Sequence, residues 1–314
     1  MPPVLGLIQL LAIGFVVGLT MLIVYTAWLL THPHRRTYAW AISRSQPGDP
    51  GELDEPLAFE SDEIDTEHGI TPIWDIVGRD PQGPTVLMTH GWGSSRQGAL
   101  KRIAGVIDHS ARVIAWDLPG HGEAPGSARM GSDEHLDAMR VLDSIGPCEQ
   151  GLVLMGWSMG AGVSLKLAQA IQDTADLRGV ICEAIYNQPV TPARAVLALR
   201  GMPHRLNLSP AIALIGTRLG VGARWRGFDR QVIAQQVRVP VLLVHGDQDP
   251  VSPIADAQAV QRHAPNATLC TVKGAGHNNL WSDEVYRSQC IDAIGAFMQS
   301  QRRAGSHDAA PAQP

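Results

Sequence analysis

The pentapeptide Gly156-Trp157-Ser158-Met159-Gly160 is the feature that most restricts what this 314-residue chain can fold into. It follows the apolar run Gly151-Leu152-Val153-Leu154-Met155 and opens into Ala161-Gly162-Val163-Ser164-Leu165-Lys166-Leu167-Ala168. The first run reads as a buried strand and the second as a helix, so the serine sits on the sharp turn between them. Glycines flank it because a Cβ at either position would clash in so tight a turn. The turn holds the hydroxyl clear of the backbone at a helix N-terminus, where free N–H groups and the helix dipole favour negative charge.

A serine placed in this way needs a base to take its proton and a carboxylate to hold that base in one tautomer. The strand pattern Val239-Pro240-Val241-Leu242-Leu243-Val244 ends in His245-Gly246-Asp247-Gln248-Asp249. Farther on, Ala267-Thr268-Leu269-Cys270-Thr271-Val272 leads into Lys273-Gly274-Ala275-Gly276-His277. Both loops follow strand ends, where open α/β sheets place their chemistry. His245 is too close to its strand end and His263 lies in the helix-like stretch 254–263, so both read as structural.

These motifs resemble the α/β-hydrolase superfamily, particularly its serine esterase, lipase and acyl-peptidase branches, over residues 57–301. The resemblance implies Ser158 as nucleophile, His277 of the Gly-x-Gly-His segment as base and Asp249, three residues after Gly246, as acid. Asp247 is then a turn residue. It also implies an oxyanion hole from the backbone N–H groups of Met159 and Trp92. Trp92 lies in His90-Gly91-Trp92-Gly93, after the strand Thr85-Val86-Leu87-Met88-Thr89; the longer His-Gly-Gly-Gly form of some esterases is missing. His90 reads as a loop-packing residue. Trp116-Asp117-Leu118-Pro119-Gly120-His121-Gly122 resembles the neighbouring turn of the superfamily, with Asp117 for turn hydrogen bonds and no catalytic part for His121.

Alternating strand and helix patterns predict an α/β fold, the α/β-hydrolase fold, with a mostly parallel sheet and helices on both faces. A first hairpin is expected from 57–65 with 71–77, turned at His68-Gly69. One helix starts at Ser132 and repeats Leu136, Met139, Leu142 and Ile145; the last starts at Ser282 and buries Val285, Ile291, Ile294, Phe297 and Met298. Cys148, Cys182, Cys270 and Cys290 have no paired spacing, and the last three read as core residues. No metal or cofactor is implied, and a chain of net charge −5 is not expected to bind nucleic acid.

The N-terminus carries a second signal. Residues 4–30 contain no charged side chain, and as a helix they would span roughly 40 Å, more than the roughly 30 Å hydrocarbon core of a bilayer. The run is too long for a signal peptide and lacks a basic n-region, so it reads as a retained transmembrane anchor, residues 1–31, with Tyr25 and Trp28 near an interface. Arg35, Arg36 and Arg44 follow the span, and the positive-inside rule then puts the catalytic domain on the cytoplasmic side.

Residues 32–56 read as a juxtamembrane linker, 57–301 as the catalytic domain and 302–314 as a disordered tail. Between the sixth and seventh strands, 188–235 is a cap insertion carrying Arg194, Arg200, Arg205, Arg218, Arg224, Arg226 and Arg230 against the single acid Asp229. A basic, part-apolar cap beside an anchor suits anionic headgroups or an anionic acyl substrate; a solvated lid is the plainer reading. The expected function is a single-span, membrane-anchored serine hydrolase of carboxylic esters, lipid and thioester substrates included. Acyl transfer to another acceptor, peptide hydrolysis and a catalytically idle binding module are the alternatives.

Overall fold

The computed structural model describes residues 3–302. After the N-terminal helix α1 (Pro3–Thr31) and the short α2 (Tyr38–Ile42) come β1 (Phe59–Thr66), β2 (Gly69–Val77) and β3 (Thr85–Thr89). The chain then continues through α3 (Gln97–Leu100), β4 (Arg112–Trp116), α4 (His135–Ser144), β5 (Leu152–Trp157), α5 (Met159–Ile171) and β6 (Leu177–Glu183). Next are the cap helices α6 (Val190–Leu199), α7 (Leu208–Arg218) and α8 (Arg230–Ala234), and finally β7 (Val241–Gly246), α9 (Ile254–His263), β8 (Ala267–Val272) and α10 (Glu284–Ser300).

The eight strands form one sheet in the order β1-β2-β4-β3-β5-β6-β7-β8. β1 and β2 form the expected antiparallel hairpin, β2 runs antiparallel to β4, and β4 through β8 are mutually parallel. The central strands are apolar throughout because both faces are covered. Leu152 and Leu154 of β5 point into the layer containing α4, α5, α9 and the cap, while Val153 and Met155 point into the layer containing α3 and α10. Strand period 2 thus feeds two cores from one segment.

Several elements depart from expectation. α4 begins at His135 rather than Ser132, because Ser132, Asp133 and Glu134 are spent on a turn: Glu134 accepts the N–H groups of Gly131 and Asp133. Its buried face holds Asp137, Ala138 and Val141, while Leu136 and Met139 are exposed. Asp137 accepts both the backbone N–H of His68, at 2.9 Å, and its Nδ1–H, at 2.8 Å, so the hairpin turn sets that rotation. In α10, Ile294 and Met298 are buried and Ile291 and Phe297 half-buried, but Val285 is exposed, because the cap residue Asp283 holds the first turn at the surface. Cys182 and Cys290 are buried and Cys148 and Cys270 half-buried, all four free. Of the tail expected at 302–314, only Arg302 is described, paired with Asp80; the rest lies outside the described residues.

The segment expected as a linker is packed against the domain. α2 is capped by Thr37, the Tyr38 hydroxyl donates to Glu52 at 2.5 Å, Ala41 is buried, and Leu53 joins the α10-side core. α1 has an exposed part and a packed part. It is the one described helix long and apolar enough to cross a membrane, and nearly all of 4–21 is exposed, a length of about 27 Å. Its last turns dock. Thr26, Ala27, Leu29, Leu30 and Thr31 are buried and α7 packs against the helix. Asn207 donates to Thr26 Oγ1 at 2.7 Å, Trp92 Nε1 to Leu30 O at 2.8 Å and Ala128 N to Thr31 O at 2.8 Å.

Leu30→Ala should therefore cost about 2–5 kcal/mol of stability, the usual range for deleting a buried leucine side chain, whereas Leu10→Ala on the exposed stretch should be nearly neutral. Thermal melts of the full chain in neutral detergent measure both. Equal effects would mean that α1 does not dock.

Candidate active site

The sheet register brings the loops of the site together. Thr89 lies opposite Gly156, Trp157 opposite Glu183, and Glu183 opposite Val244, so β3, β5, β6 and β7 end at one level. Ser158 follows β5 with φ 53° and ψ −115°, a conformation that costs a non-glycine residue of order 1–3 kcal/mol. The surroundings enforce it. Ser158 N–H donates to Glu183 O at 2.8 Å, a Cβ on Gly156 would run into the Gly160 carbonyl oxygen, and one on Gly160 into that of Thr89.

Asp249 and His277 meet this serine from the loops after β7 and β8. Asp249 is buried, and its Oδ1 accepts the N–H groups of Val251 and Ser252, both at 2.8 Å. Its Oδ2 lies 2.7 Å from His277 Nδ1, and His277 Nε2 lies 3.1 Å from Ser158 Oγ. With the proton on Nδ1, His277 donates to Asp249 and accepts from the serine hydroxyl. Such a chain can take the hydroxyl proton as the oxygen attacks an electrophile, with the carboxylate stabilising the imidazolium that forms.

The rival residues are occupied elsewhere. Asp247 accepts the Gly274 N–H at 2.7 Å and so braces the loop that carries His277. His245 is buried with Nε2 2.7 Å from Ser252 O and 3.7 Å from Asp249 Oδ2, farther than His277, and His263 Nδ1–H donates to Ala259 O at 2.7 Å. His90 accepts the Leu118 N–H at 2.9 Å, and Asp117 accepts the N–H groups of Arg96, at 2.7 Å, and Glu123, at 2.9 Å. Burial drives His90 well below its ordinary pKa and His121 down to about 4, so both stay neutral.

Ser158, His277, Trp92 and Met159 line one cavity of about 920 Å³. Met159 is the first residue of α5, where an N–H has no intrahelical acceptor. The rest of the lining was not legible as such in the sequence. Leu30 in the last turn of α1, Trp40 in α2 and the cap residues Ala193, Val196 and Leu199 all face the cavity, as do Arg36, Arg44 and Lys101. Beside Ser158, the buried Glu183 accepts from Arg102 at 2.5 Å and from Trp281 Nε1 at 2.7 Å, with Arg102 stacked 4.1 Å over the Trp157 ring. The one signal for this pair was the lone carboxylate ending the apolar run Gly179-Val180-Ile181-Cys182-Glu183. Among the cap arginines, Arg230 is a correction: it is fully buried, donates to Gly131 O at 2.5 Å and lies 4.1 Å from the Phe228 ring. It packs over Gly162, where any Cβ would meet its guanidinium, and so cannot touch a headgroup.

The sequence profile of the Alpha/beta hydrolase family matches residues 86–288. The chain belongs to that family. This hydrolase is 24% identical over 258 residues to a pimeloyl-[acyl-carrier protein] methyl ester esterase of Nitrosomonas europaea, covering 68% of this chain and 96% of the relative. Its fold is similar to that of a Pyrococcus furiosus esterase, with a TM-score of 0.64 at 18% identity, over 87% of this chain and 98% of the other. It is also similar to a membrane phospholipase A described as a bacterial virulence factor, with a TM-score of 0.58 at 18% identity over 96% and 99% of the two chains.

The neutral histidines His90 and His121 should make the hydrolase acid-sensitive. Unfolded, each takes a proton near pH 6.5; folded, His121 resists until about pH 4 and His90 is held well below its ordinary value. The unfolded state therefore binds more protons below pH 6.5, and stability should fall on acidification by up to about 1.4 kcal/mol per pH unit for each. Thermal midpoints between pH 7 and 5 should drop accordingly, with a shallower slope in His121→Gln.

Proposed function

We propose that the chain is a membrane-anchored serine esterase that cleaves carboxylic esters through an acyl-enzyme on Ser158. The observation that carries this reading is the hydrogen-bonded chain from Ser158 Oγ to His277 Nε2, at 3.1 Å, and from His277 Nδ1 to Asp249 Oδ2, at 2.7 Å. Ser158 Oγ attacks the ester carbonyl carbon while its proton passes to His277 Nε2, and the N–H groups of Met159 and Trp92 bind the resulting oxyanion. Collapse expels the alcohol, which takes the proton from His277. Water then repeats the sequence, releasing the acid and restoring the serine. An ester is favoured over an amide by those relatives that are named as methyl ester esterases. Transfer of the acyl group to another acceptor uses the same first half-reaction.

The membrane part of the proposal rests on α1 and the cap together. Tyr25 and Trp28 stack with ring centroids 6.1 Å apart and both are exposed, at the point where α1 leaves the exposed stretch and enters the domain. The cap residues Leu199, Leu206 and Leu214 are exposed, and the loop containing Leu206 shares an apolar groove of about 640 Å³ with Phe15, Leu19 and Leu22 of α1. A cap loop set beside a spanning helix reaches the interface with it, where aromatic and leucine side chains are stable. The exposed Arg205, Arg218, Arg224 and Arg226 would meet anionic headgroups there. In this reading the domain faces the cytoplasm, since Arg35, Arg36 and Arg44 follow the span.

Ser158→Ala and His277→Ala should each lower ester turnover by several orders of magnitude, and Asp249→Asn should be severe where Asp247→Asn is mild. Fluorophosphonate labelling of the wild type but not of Ser158→Ala checks the nucleophile; an unlabelled wild type would leave a binding module. The full chain should stay with membranes through a carbonate wash, with its domain shielded from protease added outside intact cells. Digestion of the domain under those conditions would reverse the orientation.

A further inference from the structure

The cavity over Ser158 has two unlike walls. Leu30, Ala193, Val196 and Leu199 form an apolar side that suits an acyl chain. The other side is cationic. Arg36 and Arg44 both stack on the Trp40 ring, 5.0 and 4.5 Å from its centroid, and Lys101 lines the same wall. None of the three has a carboxylate within salt-bridge distance among the described residues, in a chain whose net charge is −5. They are close enough to act on one another: burial and the charges of Arg44 and Arg102 lower Arg36, and burial with the charges of Arg36 and Arg102 lowers Lys101. The carboxylates on this lining are already engaged, Glu183 by Arg102 and Glu284 by Arg287. The three side chains are exposed at the cavity wall, and repulsion between Arg36 and the other two is relieved by an anion bound against them. Trp40 Nε1–H, buried and without an acceptor among the described residues, adds an unfilled donor on the same wall.

We propose that Arg36, Arg44 and Lys101 form a subsite for the phosphate of a glycerophospholipid or lysophospholipid whose acyl ester is presented to Ser158. Two guanidiniums and an ammonium suit phosphate, which accepts several charge-assisted hydrogen bonds at once. A lipid is the source because the helix that is long and apolar enough to span a bilayer carries in its last turn Leu30, which lines this same cavity. The apolar helix and the cavity are thus held in a fixed relation. The subsite rests on the acyl chemistry proposed for Ser158 and specifies which esters are preferred.

A matched pair of soluble short-chain esters tests it without any lipid surface: 1-butyrylglycerol and 1-butyrylglycerol 3-phosphate, with the full chain in neutral detergent. The wild type should favour the phosphate ester in kcat/KM by about tenfold or more, mostly through KM, as one or more charge-assisted hydrogen bonds supply. In R36Q/R44Q/K101Q that ratio should fall to near one, and in the charge-preserving R36K/R44K/K101R it should remain well above one. A wild-type ratio near one, or a ratio unchanged in the glutamine variant, overturns the subsite. So does a preference seen only with anionic vesicles, which would make these cations a general attractant to charged surfaces. Inorganic phosphate that inhibits 1-butyrylglycerol hydrolysis at concentrations near the KM of the phosphate ester would assign the site to a free anion instead. Failure of the underlying acyl chemistry is separately visible, because Ser158→Ala would then keep activity on both esters.

Discussion

The geometry of the candidate site depends on the backbone at Ser158, held at a φ of 53° on the turn between β5 and α5. A serine does not adopt that conformation for its own sake; it is over-determined by what surrounds it. Gly156 and Gly160 admit the close approach of neighbouring carbonyls, and the Ser158 N–H is tied to Glu183 O on the adjacent strand. Glu183 in turn is anchored by Arg102 and Trp281. The strain at one residue is thus distributed over three segments of the sheet's carboxyl edge, which also fix the loops bearing Asp249 and His277.

A buried parallel sheet makes this possible. Both faces of β3, β5, β6 and β7 are covered, so their ends cannot slip in register without exposing apolar side chains from two cores at once. Position at the site is therefore inherited from packing far from it. Where packing is weaker, at the first turn of α10 and along α4, local hydrogen bonds from Asp283 and from His68 to Asp137 decide which face turns inward.

The N-terminal segment joins the membrane question to the active site. The exposed part of α1 has the length of a bilayer crossing, yet its final turns are buried under the cap and against the loop holding Trp92. The following segment supplies cavity lining instead of slack chain. Two of the three arginines used to orient the span, Arg36 and Arg44, lie on that lining. Their charge therefore has a local place in the fold as well as a topological one.

The sequence alone determined the strand–serine–helix turn, the order of acid and histidine, the two-sided sheet and the long apolar N-terminal run. Each is written in residues adjacent in the chain, as a periodicity or a short spacing that local sterics and burial interpret directly. The resemblance of those motifs to a known family singled out Asp249 over Asp247, two residues apart on one loop, and the fold then placed the first against His277 and the second against Gly274. Only the tertiary structure decided that Arg230 is a core residue, that Trp40, Ala41 and Leu53 of the segment 32–56 line the cavity, that Val285 faces outward and that Glu183 braces the serine turn. Those properties come from pairs far apart in the chain, such as Asn207 with Thr26 or Trp281 with Glu183. A charged side chain reads as solvated until its distant partner, or the surface that buries it, is in place.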